Sequence, residues 1–212
     1  MSQPDAMTVP AGAEALFGAE LGRAVAYAGI LATRGVDWGV IGPREVPRLW
    51  DRHLMNCAVV ADLVDSSGGT LADIGSGAGL PGVVLALLLP AVQVTLIEPL
   101  ERRARFLTEC VSELELTNAS VLRGRAEDVA GQVAADVVTA RAVAPLDRLV
   151  PLAVGVARKR GMILAIKGSG AAEELERARP VLRRVGARSA EVLSVGHGKV
   201  SPATTVVRFF AR

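Results

Sequence analysis

Aromatic side chains make up only 3% of this 212-residue chain, and cysteine and histidine occur just twice each. Cys57 and Cys110 stand far apart with no C-x-x-C pattern, and two histidines complete no ligand set. Neither a disulfide framework nor a metal cage is therefore expected, and each thiol should pack as a small hydrophobe. Lysine is scarce too: 21 of the 24 basic residues are arginine, yet the net charge is only +2. Arginine's planar donor fork suits phosphates and stacks on bases. The bias also fits an Ala- and Val-rich composition, so it assigns no nucleic-acid partner by itself. No basic segment followed by an apolar run opens the chain, which argues against secretion. The most apolar window, 79–97, is broken by Pro81, Pro90 and Gln93 and reads as helix, turn and strand, not as a membrane span. A soluble cytoplasmic protein is the expectation.

What the chain has in quantity is alternation. Residues 1–12 are polar and expected to fray. Two helical patterns follow at 13–34 and 43–64, joined through the Gly35–Gly42 turn region. Strands and helices then take turns: strand 70–74, helix 81–89, strand 92–98, helix 100–116, strand 119–123, strand 135–141, helix 146–157, strand 161–167 and helix 171–185. The last extended runs, 187–195 and 203–210, leave no room for a helix between them and predict an antiparallel hairpin. Alternating elements predict an α/β fold, a mostly parallel seven-stranded sheet with helices on both faces. Residues 1–66 read as an N-terminal helical extension to a compact domain over 67–212.

One stretch carries chemistry. Asp73-Ile74-Gly75-Ser76-Gly77-Ala78-Gly79-Leu80-Pro81-Gly82 joins an apolar strand to an apolar helix. Its glycines permit positive φ and let backbone N–H groups approach a ligand, and Pro81 suits the first helical turn. The D-x-G-x-G-x-G pattern resembles the cofactor loop of class I S-adenosylmethionine (SAM) methyltransferases. Gly77 to Gly82 also matches G-x-G-x-x-G, the dinucleotide fingerprint. Glu98 closes the next strand, 23 residues after Gly75, and an acid there suits ribose hydroxyls in either family. The closing hairpin resembles the methyltransferase sheet, whereas a dinucleotide fold ends in a second βαβ half.

Further motifs narrow the likeness. The glycine loop with its Leu80-Pro81-Gly82 ending is followed in order by Glu98-Pro99-Leu100, Arg102-Arg103, Phe106-Leu107, Arg125-Ala126-Glu127, Ala140-Arg141-Ala142 and Lys167-Gly168. From about Leu49 to Lys167 the chain resembles the ribosomal RNA small-subunit methyltransferase G family, also called glucose-inhibited division protein B. The resemblance implies methyl transfer from SAM, leaving S-adenosylhomocysteine, to N7 of guanine 527 in the 530 loop of 16S rRNA. It implies cofactor contacts from Asp73, Gly75, Gly77, Gly79, Leu80, Glu98, Ala126, Glu127 and Arg141. It also implies the small ribosomal subunit or an assembly intermediate as partner, a monomer, no membrane and no metal. Capping of a loop or helix is the alternative reading of Asp73 and Glu127.

Guanine N7 bears a lone pair and no proton, so this chemistry needs no general base and can rest on alignment; only Arg141 stands as a possible catalytic side chain. The nucleophilic cysteine of C5 methylation is not expected, with Cys57 and Cys110 both placed away from the sheet's carboxyl edge. The [DN]-P-P-[FYW] signature of amino methylation is replaced by Arg141-Ala142-Val143-Ala144-Pro145. On the substrate side, Arg44, Arg48 and Arg52 recur every four residues and would stripe one side of the second helix, a track for an RNA backbone. His53 shares its helical side with Val46, Trp50 and Cys57 and reads as a packed histidine, although the family places one near its site. The Asp-Ser pair common after that histidine is Asn56-Cys57 here. Lys167 ends the fifth strand, set either to meet a phosphate or to point into water. Arg158-Lys159-Arg160 reads as turn polarity before that strand. SAM-dependent transfer to a small molecule or protein, and a nucleotide-binding module without transfer, are the other readings.

Overall fold

The computed structural model describes residues 8–212. Residues 1–7, most of the segment expected to fray, lie outside the described residues.

Seven strands form one sheet: β1 (Gly69–Ile74), β2 (Val92–Glu98), β3 (Ala119–Arg123), β4 (Ala135–Arg141), β5 (Ala157–Lys167), β6 (Arg188–Val195) and β7 (Thr204–Phe210). Their order is β3-β2-β1-β4-β5-β7-β6. The first five run parallel, and β7 is antiparallel to both β5 and β6. The sequence predicts this mixed sheet and its hairpin. The order reverses between β1 and β4, which stay paired to Ile74 and Ala140, so the chain leaves their carboxyl ends toward opposite faces of the sheet, at the crevice where doubly wound sheets bind ligands.

Side-chain alternation along the strands splits the apolar residues into two cores. Leu71, Val94, Leu96 and Val137 face a layer built from the N-terminal helical segments with α4 (Gly82–Leu88) and α5 (Glu101–Glu113). Ala72, Ile74, Ile97, Val138 and Ala140 face α6 (Leu146–Val156) and α7 (Ala171–Val185). Burial on both faces explains why these strands read as continuous apolar runs.

The two N-terminal helical patterns are present but subdivided. The first holds α1 (Ala13–Phe17) and α2 (Leu21–Ile30), separated at Gly18 (φ 51°) and followed by a wider π turn at Leu31–Gly35. By length and composition Ala13–Gly35 is apolar enough to cross a membrane; here Phe17, Ala24, Tyr27, Ala28 and Leu31 are buried in the first core. The second pattern, expected as one helix over 43–64, is a 3-10 segment (Pro43–Arg48), a π segment (Leu49–Leu54), α3 (Met55–Ala58) and a 3-10 turn (Val59–Leu63). Pro47 lies inside the first of these, and its missing N–H and fixed ring do not sustain regular α-helix. β5 begins four residues earlier than expected. Arg158-Lys159-Arg160 therefore belongs to its first residues, at the end remote from the glycine loop, where Arg158 pairs with Asp136.

Candidate active site

β1 delivers Asp73 and Ile74 into the glycine loop. Gly75 (φ 64°) and Gly77 (φ 56°) take left-handed conformations that other residues adopt at a cost. A Cβ on Gly75 would also lie 2.8 Å from Val143 Cγ2. Gly82 opens α4 where the helix descends onto the sheet, and a Cβ there would sit 2.3 Å from Leu96 Cδ2 and 2.9 Å from Asp73 Cβ. Asp73 braces this junction from beneath. Fully buried, it accepts the Thr139 hydroxyl at 2.9 Å and the Gly82 N–H at 3.2 Å. Burial pushes its carboxyl up to about 6, against the pull of those hydrogen bonds and of Arg141. From the other side, Tyr27 of α2 donates its hydroxyl to Ala78 O at 2.5 Å. Burial holds that phenol well above its ordinary value, so it stays a donor.

Glu98 closes β2 and is 2% exposed. Its Oε2 accepts Gly77 N–H and its Oε1 accepts Leu100 N–H, each at 2.9 Å. A carboxylate oxygen takes two such bonds, so each retains a lone pair for a hydroxyl donor. Beside it Leu100 is 54% exposed, an apolar surface suited to one face of a purine. Ala126 is buried and Glu127 exposed in the turn after β3, where Gly124 N–H donates to Glu98 O at 3.2 Å. Gly79 (φ 95°) and the half-buried Leu80 complete the loop. These groups line the carboxyl ends of β1, β2 and β3, and the donor and acceptor set fits an adenosine with its ribose diol.

A cleft of 1120 Å³ opens at the carboxyl ends of β4 and β5. Arg48 and Arg52 form one wall, residues 141–145 the floor beyond β4, and Lys167, Ser201 and Thr205 the opposite wall. Val143 lies between cleft and loop, lining the first and covering Gly75 of the second. Arg141 reaches back across the cleft wall. Its Nη2 lies 2.6 Å from His53 Nδ1 and donates to Arg52 O at 3.2 Å, while Nη1 lies 3.4 Å from Cys57 Sγ. His53 Nε2 in turn lies 2.7 Å from Glu45 Oε2. Burial first, then the Arg141 charge, holds His53 below its ordinary value although Glu45 opposes them. The His53 hydrogen bond holds the Glu45 carboxyl low.

Three expectations need correction. Cys57, placed away from the carboxyl edge by the sequence, lines the cleft against Arg141. Burial pushes its thiol up to about 11 in spite of Arg141, so it is no nucleophile at neutral pH. The Arg44-Arg48-Arg52 stripe is not one helical face, because 3-10 and π segments replace the α-helix. Arg48 and Arg52 line the cleft, and Arg44 is exposed apart from it. Lys167 does not point into water. Only 9% exposed, its ammonium donates to Ala144 O at 2.7 Å and Glu174 Oε2 at 2.8 Å, tying the floor to α7.

Asn56, noted in the sequence only as a departure from the family pattern, lines the cleft, as do Ser201 and Thr205, which the sequence did not single out. A signal for the last two exists. An antiparallel β7 must begin beside the carboxyl end of β5, and Lys167 is indeed paired with Thr205. Among the described residues no group of three or more His, Cys, Asp or Glu side chains is set to hold a metal.

Comparison with known proteins identifies the family and the fold. The family model described as rRNA small subunit methyltransferase G matches residues 20–201. The ribosomal RNA small subunit methyltransferase G of Thermobifida fusca is 58% identical over 196 residues, 92% of this chain and 82% of that protein. Its Streptomyces coelicolor counterpart is 53% identical over 201 residues, 94% of this chain and 84% of that one. Among solved structures, a SAM-dependent methyltransferase from Aquifex aeolicus superposes with a TM-score of 0.59 at 19% identity, over 81% of this chain and all (100%) of that one. That likeness concerns the fold, which is the class I SAM-dependent methyltransferase fold. With a family model spanning most of its length and relatives more than half identical, the chain belongs to the rRNA small subunit methyltransferase G family.

Proposed function

We propose that this protein transfers the methyl group of SAM to N7 of a guanine in 16S rRNA, guanine 527 of the 530 loop. The observation that carries the reading is the adjacency of two sites across Val143. On one side lies a glycine loop with an acid at the end of β2; on the other, a cleft walled by Arg48, Arg52, Arg141 and Lys167.

Bound SAM supplies a methyl carbon on a positively charged sulfonium, open to in-line attack by a lone pair. Glu98 would accept hydrogen bonds from the ribose hydroxyls, and the amides of Ala78 and Ala126 would meet polar edges, those of Ser76, Gly77, Gly79 and Leu80 being already donated to Ile97 O, Glu98 Oε2 and Ser76 O. Leu100 offers cover for the base, with Glu127 at the rim. Asp73 acts from below by holding the loop. Arg141 leaves the reacting atoms to alignment and brings positive charge to the substrate side, while Lys167, paired with Glu174, holds the cleft floor. No residue needs to accept a proton, because guanine N7 has none to lose. As the methyl moves, positive charge passes from sulfur to the purine, so a neutral His53 near Arg141 avoids adding a further positive charge there.

We further read the protein as a cytoplasmic monomer with no membrane role, in which residues 1–66 extend the methyltransferase domain of 67–212 and help form the cleft through Arg48 and Arg52. The test is mass spectrometry of nuclease digests of small-subunit RNA from cells with and without the gene. Loss of 7-methylguanosine at that position, restored by the wild type and not by Gly75→Asp, is the expected result. A mark that persists without the gene would overturn the RNA reading in favour of a small-molecule or protein acceptor.

A further inference from the structure

The contact between Arg141 and His53 has a chemical consequence. A guanidinium only donates hydrogen bonds. At 2.6 Å from Arg141 Nη2, His53 Nδ1 must therefore present a lone pair. The imidazole proton then sits on Nε2, which lies 2.7 Å from Glu45 Oε2, a good acceptor. The three side chains form a directed chain: Arg141 donates to His53, and His53 donates to Glu45.

We propose that His53 is a positioning residue for methyl transfer: neutral, with its Nε2–H donating a hydrogen bond to Glu45, it holds the Arg141 guanidinium in the cleft, and a second proton on Nδ1 drives Arg141 away. The proposal rests on the guanine-N7 reading above. Of the five N–H donors of Arg141, three are spent on His53, Arg52 O and Cys57 Sγ, which leaves two for a ligand. The contacts at 3.2 Å to Arg52 O and 3.4 Å to Cys57 Sγ are long, so the 2.6 Å contact to His53 does most to set the orientation. Protonating Nδ1 would turn that contact into two N–H groups and two cations facing each other.

The charges around the ring set the direction of its titration. Arg141 at the end of β4 and Arg52, on the same π segment as His53, oppose the imidazolium, and Glu45 on the preceding 3-10 segment favours it. Arg48 faces Glu45, while Asp73 of β1 and Cys57 of α3 lie within the field of Arg141. Burial joins the two arginines, and the balance favours the neutral ring.

Only two histidines occur in the chain, so nitrogen-15 spectra of the imidazoles decide the tautomer directly, with His197→Gln identifying the second ring. The expected result is an Nε2–H tautomer for His53 at about pH 7.5, charging only below the roughly 6.5 of a free imidazole. An Nδ1–H tautomer, or a ring already charged at about pH 7, overturns the proposal.

The pH profile of methyl transfer to small-subunit RNA supplies the functional readout. Asparagine carries its Oδ1 where histidine carries Nδ1, so His53→Asn keeps an acceptor for Arg141 and cannot titrate. It is expected to keep transfer within about threefold of wild type at about pH 8 and to lose the acid limb that His53 causes. Glu45→Gln removes the charge that favours the imidazolium and should move that limb to lower pH. His53→Leu should lose about tenfold or more at every pH. An acid limb unchanged in both His53→Asn and Glu45→Gln would assign it elsewhere, Asp73 first, and overturn the proposal even if His53→Leu does not fold. Wild-type protein that leaves the RNA unmethylated overturns the substrate reading instead, and the imidazole spectra then decide the tautomer independently.

Discussion

Replacing Asp73 by asparagine probes the buried carboxylate under the glycine loop. Burial raises this carboxyl from 3.8 to about 6, with Thr139, Gly82 and Arg141 pulling the other way. In the unfolded chain it loses its proton near the lower value, and in the folded protein only near the higher one. Between the two the folded state binds more protons, so this group's contribution to stability falls as pH rises through that window and is constant above it. A rise of about two pH units at about 1.4 kcal/mol each amounts to about 3 kcal/mol. Asparagine has no such titration. It can still accept from Gly82 N–H through Oδ1 and turn its amide N–H to Thr139 Oγ1, because a hydroxyl both donates and accepts. Denaturant unfolding of wild type and Asp73→Asn between about pH 4 and pH 8 measures the difference. We expect wild type to lose about 3 kcal/mol relative to the variant over that range, with the variant at least as stable at the upper end. A difference independent of pH would refute the assignment of a raised pKa to Asp73 and, with it, the idea that the loop rests on a costly buried charge.

Gly82→Ala tests the descent of α4 onto the sheet. Its added carbon would meet Leu96 Cδ2 at 2.3 Å and Asp73 Cβ at 2.9 Å. Overpacking of about 1–3 kcal/mol should lower Tm by roughly 3–10 °C in a domain this size, and an unchanged melting curve would show that the contact relaxes freely. Burial pushes the Cys57 and Cys110 thiols up to about 11 and about 12, so iodoacetamide at about pH 8 should spare both in native protein and label both after unfolding. Labelling of native Cys57, read by peptide mass, would contradict the placement of its sulfur. If Arg48, Arg52 and Arg141 each meet one RNA phosphate, log Kd should change with log salt with a slope magnitude of about 2–3. Arg48→Ala should lower that magnitude by about 1 and weaken RNA of any sequence alike; an unaltered slope would place Arg48 off the RNA path.

Local sequence carries the parts of this fold that local physics decides, and the site is built largely from the parts it does not. Asp73–Gly82 could be read as strand, loop and helix because an apolar run, three closely spaced glycines and a second apolar run each have one economical conformation. The terminal hairpin could be read because Val195 and Thr204 are too close in sequence for a crossover helix. Periodicity failed at 43–64. It counts apolar spacing and does not register that Pro47 trades α-helical turns for 3-10 and π ones, which regroups Arg44, Arg48 and Arg52. The cleft depends on contacts 84 and 88 residues apart, Arg141 to Cys57 and Arg141 to His53. No spacing rule encodes those. They arise because the second helical pattern packs across the carboxyl end of β4, where a long arginine meets whichever acceptors that segment offers. The apolar pattern did put His53 on the side of Trp50 and Cys57, but it called that side core. The side is both: Cys57 is buried with the apolar core and also faces the guanidinium. A histidine at such a seam packs through its ring and orients its partner through its nitrogens, so burial alone was never evidence against a role in the site.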